Sequence, residues 1–211
     1  MDERPLARLI EAMFGTIQGH AAQLDALDEA IGDGDHGSNM VKAFSALSRE
    51  RDRLGALPLA EALAEAAVIL EREAGGAGGK YYADLCRGMG SAAPTGPVTA
   101  ADLVAMLDAG IAVVRHEGGA GKGDKTLLDV LMPVAQGVSS QLATGHPEGI
   151  GARILAAAAH GLHSTTHMQA RHGLAADLGV ASVNRLDPGA CSCALLFGAA
   201  VGALEAQPQA A

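Results

Sequence analysis

The chain has 211 residues, a net charge of −9, 2% aromatic residues and no tryptophan. Its length suits one domain on a prior of roughly 150 residues each, and size scaling lets such a chain bury roughly 70% of its unfolded surface without disulfide staples. The acidic balance and the lack of aromatic platforms exclude a nucleic-acid binder, which needs cations against phosphates and rings against bases.

The opening stretch MDERPLARLIEAMF carries acids at once and no basic segment followed by an apolar one, so no secretory signal is expected. Alanine and leucine abound and β-branched runs are scarce, which favours helix over strand. Apolar residues at helical spacing run from Leu6, Leu9, Ile10, Met13, Phe14 and Ile17 to Leu24 and Leu27. Similar patterns predict helices over 40–54, 59–73, 81–89, 99–116, 125–142, 147–171 and 189–206. The expectation is an all-α chain of about eight helices. The most apolar stretch, 189–204, falls short of the about 20 residues that cross a bilayer, and Gly198 and Gly202 interrupt it. It reads as a core helix, with no membrane partner. Cys191 and Cys193 form a C-x-C inside that run, and with Cys86 they make an odd set. Cys191 and Cys193 read as small hydrophobes, and the odd set without secretory context fits a cytoplasmic protein.

The breaks between helices are sharper than the helices: GDGDHG (32–37), AGGAGG (74–79), GGAGKGD (118–124) and RLDPGA (185–190). Glycine lets a backbone approach a ligand closely, and helix starts attract anions through free N–H groups and the dipole. Four such loops in one helical bundle point to a shared site at one end, since a plain bundle needs only short turns.

The densest chemistry lies in LDEAIGDGDHGSNM (27–40). Asp28 falls near the end of the first helix, and Asp33 and Asp35 lie in the turn after it. Crowded carboxylates suit magnesium, a hard cation that is bound by a few acids and by substrate phosphates. The competing reading makes Asp28 a helix-end residue and Asp33 and Asp35 turn formers. An EF-hand fails, because the fifth position from Asp33 is Gly37 and the twelfth is Phe44, where a glutamate belongs. No Walker loop is completed around Lys80 or Lys125 either. Asp187 followed by Pro188 is a strong helix start, and Asp124 reads as a cap for the helix near Thr126. His160, His163 and His167 share one face of the helix expected over 147–171, as polar surface or as a transition-metal set.

Five stretches in order, LDEAIGDGDHGSNM, AGGAGG, KGDKTLLDVLMPV (122–134), TTHMQARHG (165–173) and LDPGACS (186–192), make the chain resemble the nucleotide-binding L subunit of dihydroxyacetone kinases. The resemblance covers nearly the whole chain and implies an antiparallel barrel of eight helices with the nucleotide at one end. It implies that Asp28, Asp33 and Asp35 hold two magnesium ions on the phosphates of ADP or ATP. His36, Gly37, Ser38, Asn39, Ala77, Gly78, Gly118, Leu127, Asp187, Pro188 and Gly189 match the family's nucleotide contacts. The partner implied is a K subunit that holds a small ketose, in one of two systems. One exchanges ATP; the other keeps ADP bound and has it rephosphorylated by a phosphoprotein of the phosphoenolpyruvate phosphotransferase system. Some relatives instead report nucleotide state to a transcription factor. Two stretches depart from the pattern. Gly78-Gly79-Lys80 replaces a Ser-Gly-Pro whose serine reaches a phosphate, and Leu174 stands where the family carries a nucleotide-contacting arginine.

Overall fold

The computed structural model describes residues 4–206, leaving out the side chains at 76 and 77. Proline at its first helical position opens α1 (Pro5–Glu29), followed by α2 (His36–Arg49), the short α3 (Arg51–Leu54), α4 (Leu59–Ala74) and α5 (Gly76–Ser91). The chain continues through α6 (Ala100–Gly118), α7 (Leu128–Ala143), α8 (Ile150–Ser164), the short α9 (Gly173–Asp177) and α10 (Pro188–Glu205). Two 3-10 turns, Thr165–His167 and Gly179–Ser182, flank α9. The described residues contain no strand, and eight of the helices are long, as the periodicity predicts.

Packing closes these eight into a ring: α1 against α2, α2 against α4, then α5, α6, α7, α8 and α10 in turn, with α10 returning to α1. Ring members that follow one another in the chain are neighbours in space, joined by short connections except the longer one from α8 through α9 to α10, so they alternate in direction. One contiguous core fills the ring. Ile17 and Leu24 of α1 meet Met40 and Phe44 of α2, Leu70 of α4, Val114 of α6, Leu128 and Val138 of α7, and Leu196 of α10. Cys191 and Cys193 are buried among them as small hydrophobes, and burial pushes both thiols up. Of the apolar window of α10, whose mean hydropathy is 1.4, 39% is buried. The helix is therefore half core and half wall.

Several expected boundaries shift, each for a local reason. The helix predicted over 40–54 begins at His36 and stops at Glu50, with α3 as a separate turn. Gly76, Ala77, Gly78 and Gly79 are helical, so α5 starts early. Gly75 alone makes the α4–α5 break, at φ 62°, which glycine adopts without penalty. The helix predicted from Lys125 begins at Leu128, because Lys125 stands at φ 63°. The one predicted over 147–171 shortens to Ile150–Ser164, and Met168 turns extended. His163 and His167 therefore meet edge to face, ring centroids 5.9 Å apart, across a helix end instead of sharing a helix face.

Thr99 and Asp102 cap α6 reciprocally: Thr99 Oγ1 accepts the Asp102 N–H and Asp102 Oδ2 accepts the Thr99 N–H. Thr99→Ala is expected to cost about 1 kcal/mol of unfolding free energy in a denaturant titration. This cap lies at the barrel end remote from the α1–α2 turn, so the substitution leaves that turn intact.

Candidate functional site

The connections α1–α2, α4–α5, α6–α7 and α8–α10 all emerge at one end of the ring, because alternate connections of an up-and-down barrel share an end. These are the four Gly-rich breaks of the sequence. They surround a cavity of about 540 Å³, within the size range of small-molecule sites.

Two acids of α1 organise its acidic rim. Asp28 Oδ2 accepts the backbone N–H groups of Gly34 and Asp35, each at 3.0 Å, and of His36 at 3.2 Å. One turn earlier, Asp25 accepts the Ser38 N–H at 2.9 Å and the Ser38 hydroxyl at 2.7 Å. The free donors at the start of α2 are thus satisfied from α1, and Asp35 at the cap position makes no side-chain capping bond. Burial pushes the Asp25 carboxyl up, but the hydrogen bonds from Ser38 and Gly37 outweigh it and hold the group low. The consequence is a tight loop that leaves Asp33 and Asp35 exposed beside Asp28. One carboxylate oxygen from each of the three lies within 4.8 Å of the others. Three like charges this close repel one another unless a cation intervenes. An all-oxygen donor set with an open side suits magnesium, so these residues fit that ion.

Asp28, Asp33, Asp35, His36 and Asn39 line the cavity from this side, Gly78 from α5, Leu127 from the α6–α7 connection, and Asp187, Pro188 and Gly189 from the start of α10. Gly37, Ser38 and Gly118 are not in the lining, and each has a structural task. A Cβ on Gly37 would stand 2.1 Å from the Ala21 carbonyl oxygen, so Gly37 lets α2 cross α1 closely. Ser38 is engaged by Asp25. A Cβ on Gly118 would meet the Tyr81 ring at 2.4 Å, so Gly118 makes room for a side chain that itself lines the cavity. The Ala77 side chain lies outside the described residues.

His36 reaches across the barrel mouth to α10. Its Nε2 lies 2.9 Å from Ser192 Oγ, which is 2.8 Å from the Tyr82 hydroxyl and donates to the Gly189 carbonyl at 3.0 Å. Burial pushes the His36 imidazole below its usual range, against the pull of Asp28, Asp25 and Asp35. Asp187 caps α10 by accepting the Ala190 N–H at 2.6 Å. Burial pushes its carboxyl up to about 7, opposed by that hydrogen bond and by Lys125. Asp124 is not the cap of α7: it folds its own loop, accepting the Gly121 N–H at 2.7 Å, and approaches His172 at 3.3 Å. Buried Asp129 does the holding, accepting the Gly123 and Thr126 N–H groups at 2.6 and 3.0 Å.

Tyr81, Tyr82, Lys125, Thr126, His172 and Leu174 also line the cavity, and no periodicity in the sequence marks them for it. Lys125, Thr126 and His172 sit within matched stretches and Leu174 at a position the resemblance singles out, but no local pattern tells which side chain of such a loop turns inward.

The model of the DAK2 domain matches residues 30–202. The chain belongs to the DAK2 domain family. This DAK2 domain is 33% identical over 181 residues to the ADP-binding subunit DhaL of a PEP-dependent dihydroxyacetone kinase of Listeria innocua, covering 86% of each chain. Its fold matches the crystal structure of the C. freundii dihydroxyacetone kinase with a TM-score of 0.73 at 26% identity. The same enzyme in complex with AMP-PNP and Mg2+ matches with a TM-score of 0.70. The DAK2 domain covers 34% of the native C. freundii chain, about a third of its length.

Proposed function

We propose that residues 1–211 form one nucleotide-binding domain, the ADP/ATP-binding subunit of a dihydroxyacetone (glycerone) kinase or of a kinase for a similar small ketose. The observation that carries this reading is the triad of carboxylates within 4.8 Å on the rim of a cavity built by four loops. Magnesium held there by Asp28, Asp33 and Asp35, two ions by the family resemblance, neutralises phosphate charge, and phosphoryl transfer depends mainly on such neutralisation and on positioning. The chain's own residues do the rest. Asp28 and Asp25 fix the loop that presents Asp33 and Asp35. The N-termini of α2 and α10 aim their dipoles at the cavity, an arrangement that suits anions. Leu127 and Tyr81 offer apolar surface for a base.

A ketose-holding K subunit is the partner, docking on the open mouth near Asp33, Asp35 and Asp187. The PEP-dependent name of the Listeria relative supports the version in which ADP stays bound and a phosphotransferase-system phosphoprotein recharges it. Turnover by purified K and L subunits with ATP alone would exclude that version. Packing of α10 into the core supports a soluble, cytoplasmic subunit. Isothermal calorimetry tests the central reading: Mg-ADP is expected to bind, and stripping magnesium with EDTA is expected to weaken binding by about 100-fold, the effect of several kcal/mol of charge stabilisation. Equal binding without the metal overturns it.

One observation favours a second reading, a nucleotide sensor acting on a transcription factor. Leu174, in the cavity lining and 56% exposed, supplies no charge where the family resemblance implies an arginine. A sensor binds Mg-ADP but supports no ketose phosphorylation with any K subunit.

A further inference from the structure

The cavity is lined by four carboxylates, Asp28, Asp33, Asp35 and Asp187, and among its described lining residues Lys125 is the single permanent cation. Lys125 is 2% exposed and stands at φ 63°, a region that non-glycine residues keep only when their surroundings impose it. Its ammonium donates to the Thr165 carbonyl at 2.6 Å and to the Arg185 carbonyl. Thr165 in turn accepts the Asp187 N–H on its hydroxyl at 3.2 Å, and Asp187 caps α10. One buried side chain thus sews the α6–α7 connection, which carries Leu127, to the turn after α8 and to the turn before α10.

Two carbonyls need only donors, not a charge, and burying a charge costs far more than burying a neutral donor. Burial does pull the Lys125 ammonium down, while Asp187 and Asp129 hold it up. The charge therefore answers to the acids around the cavity. We propose that Lys125 is the positioning residue of this site's phosphate end, fixing the Asp187 turn against the Leu127 loop and supplying the positive potential that admits a nucleoside diphosphate among four carboxylates. With Leu174 uncharged, no other permanent cation among the described lining residues shares that task. The inference rests on the nucleotide reading above and adds to it a discrimination between a phosphorylated nucleoside and a bare one.

The test compares Mg-ADP with adenosine, which carries no phosphate charge, by calorimetry on the parent chain, Lys125→Gln and Lys125→Met. Gln offers two amide donors without the charge, from a side chain one bond shorter; Met removes charge and donors. For Lys125→Gln the expected result is a melting temperature between those of the parent and Lys125→Met, Mg-ADP affinity lowered about tenfold and adenosine affinity within about twofold, the effect of one unit charge near phosphate in a partly screened site. Lys125→Met is expected to lose affinity for both ligands and to melt earliest. If Lys125→Gln binds Mg-ADP as the parent does, or loses Mg-ADP and adenosine equally, the lysine is only a tether and the proposal is overturned. If the parent does not bind Mg-ADP, the nucleotide reading fails and takes this inference with it.

Discussion

On the kinase reading, Asp33→Asn is expected to lower the activity of the chain reconstituted with the proposed ketose-binding K subunit by about 10³-fold, while the melting temperature stays within about 1 °C of the parent. The size follows from losing one of three carboxylates around a cation that supplies several kcal/mol of charge stabilisation. The separation of activity from stability follows from the site's construction. Asp33 is exposed at the tip of the loop, whereas the loop's backbone is held by Asp28. Asp28→Asn should therefore behave differently, losing activity and also about 1 kcal/mol of stability, because its Oδ2 caps the start of α2. Activity of Asp33→Asn within about threefold of the parent would rule out the kinase reading.

The largest stability effect is expected at Gly37, which the sequence marks as part of a Gly-rich turn and the family resemblance as a nucleotide contact, but not as a helix-crossing point. An alanine there would place its Cβ 2.1 Å from the Ala21 carbonyl oxygen and 3.0 Å from Asp25 Oδ1. Backbone cannot swing aside as a flexible side chain does, so α2 must lift from α1. Overpacking of this kind costs about 3 kcal/mol, or roughly 10 °C of melting temperature for a chain of this size. The shift also moves Asp35 away from Asp28, so Mg-ADP binding should weaken together with the fold. Gly198→Ala is the control: its Cβ meets nothing within 4 Å, and removing a glycine from a helix interior should stabilise α10 by up to about 1 kcal/mol. A Gly37→Ala protein that melts with the parent would mean that the helices are not in contact at that point.

The acidic triad was legible in advance because its three members lie within eight residues, 28–35, and local chain geometry alone keeps them close. The eight long helices were legible because their apolar spacing is regular. The helix starts around glycine were not. Gly76 to Gly79 look like a loop by composition, yet they are helical, since packing against the α4 end overrides intrinsic propensity. The three histidines of 160–167 looked like one face only while a single helix was assumed through Arg171.

By itself the amino-acid sequence determined the fold class, the four breaks and the clustering of Asp28, Asp33 and Asp35, because each depends on periodicity or on neighbours along the chain. Only the tertiary structure decided that Ser38 serves Asp25, that Gly118 serves Tyr81, and that His36 reaches Ser192 across 156 positions of chain. It also decided that Lys125 turns inward to bind carbonyls 40 and 60 residues away. Those partnerships are set by which ends of which helices close the ring, and no local pattern encodes that distance.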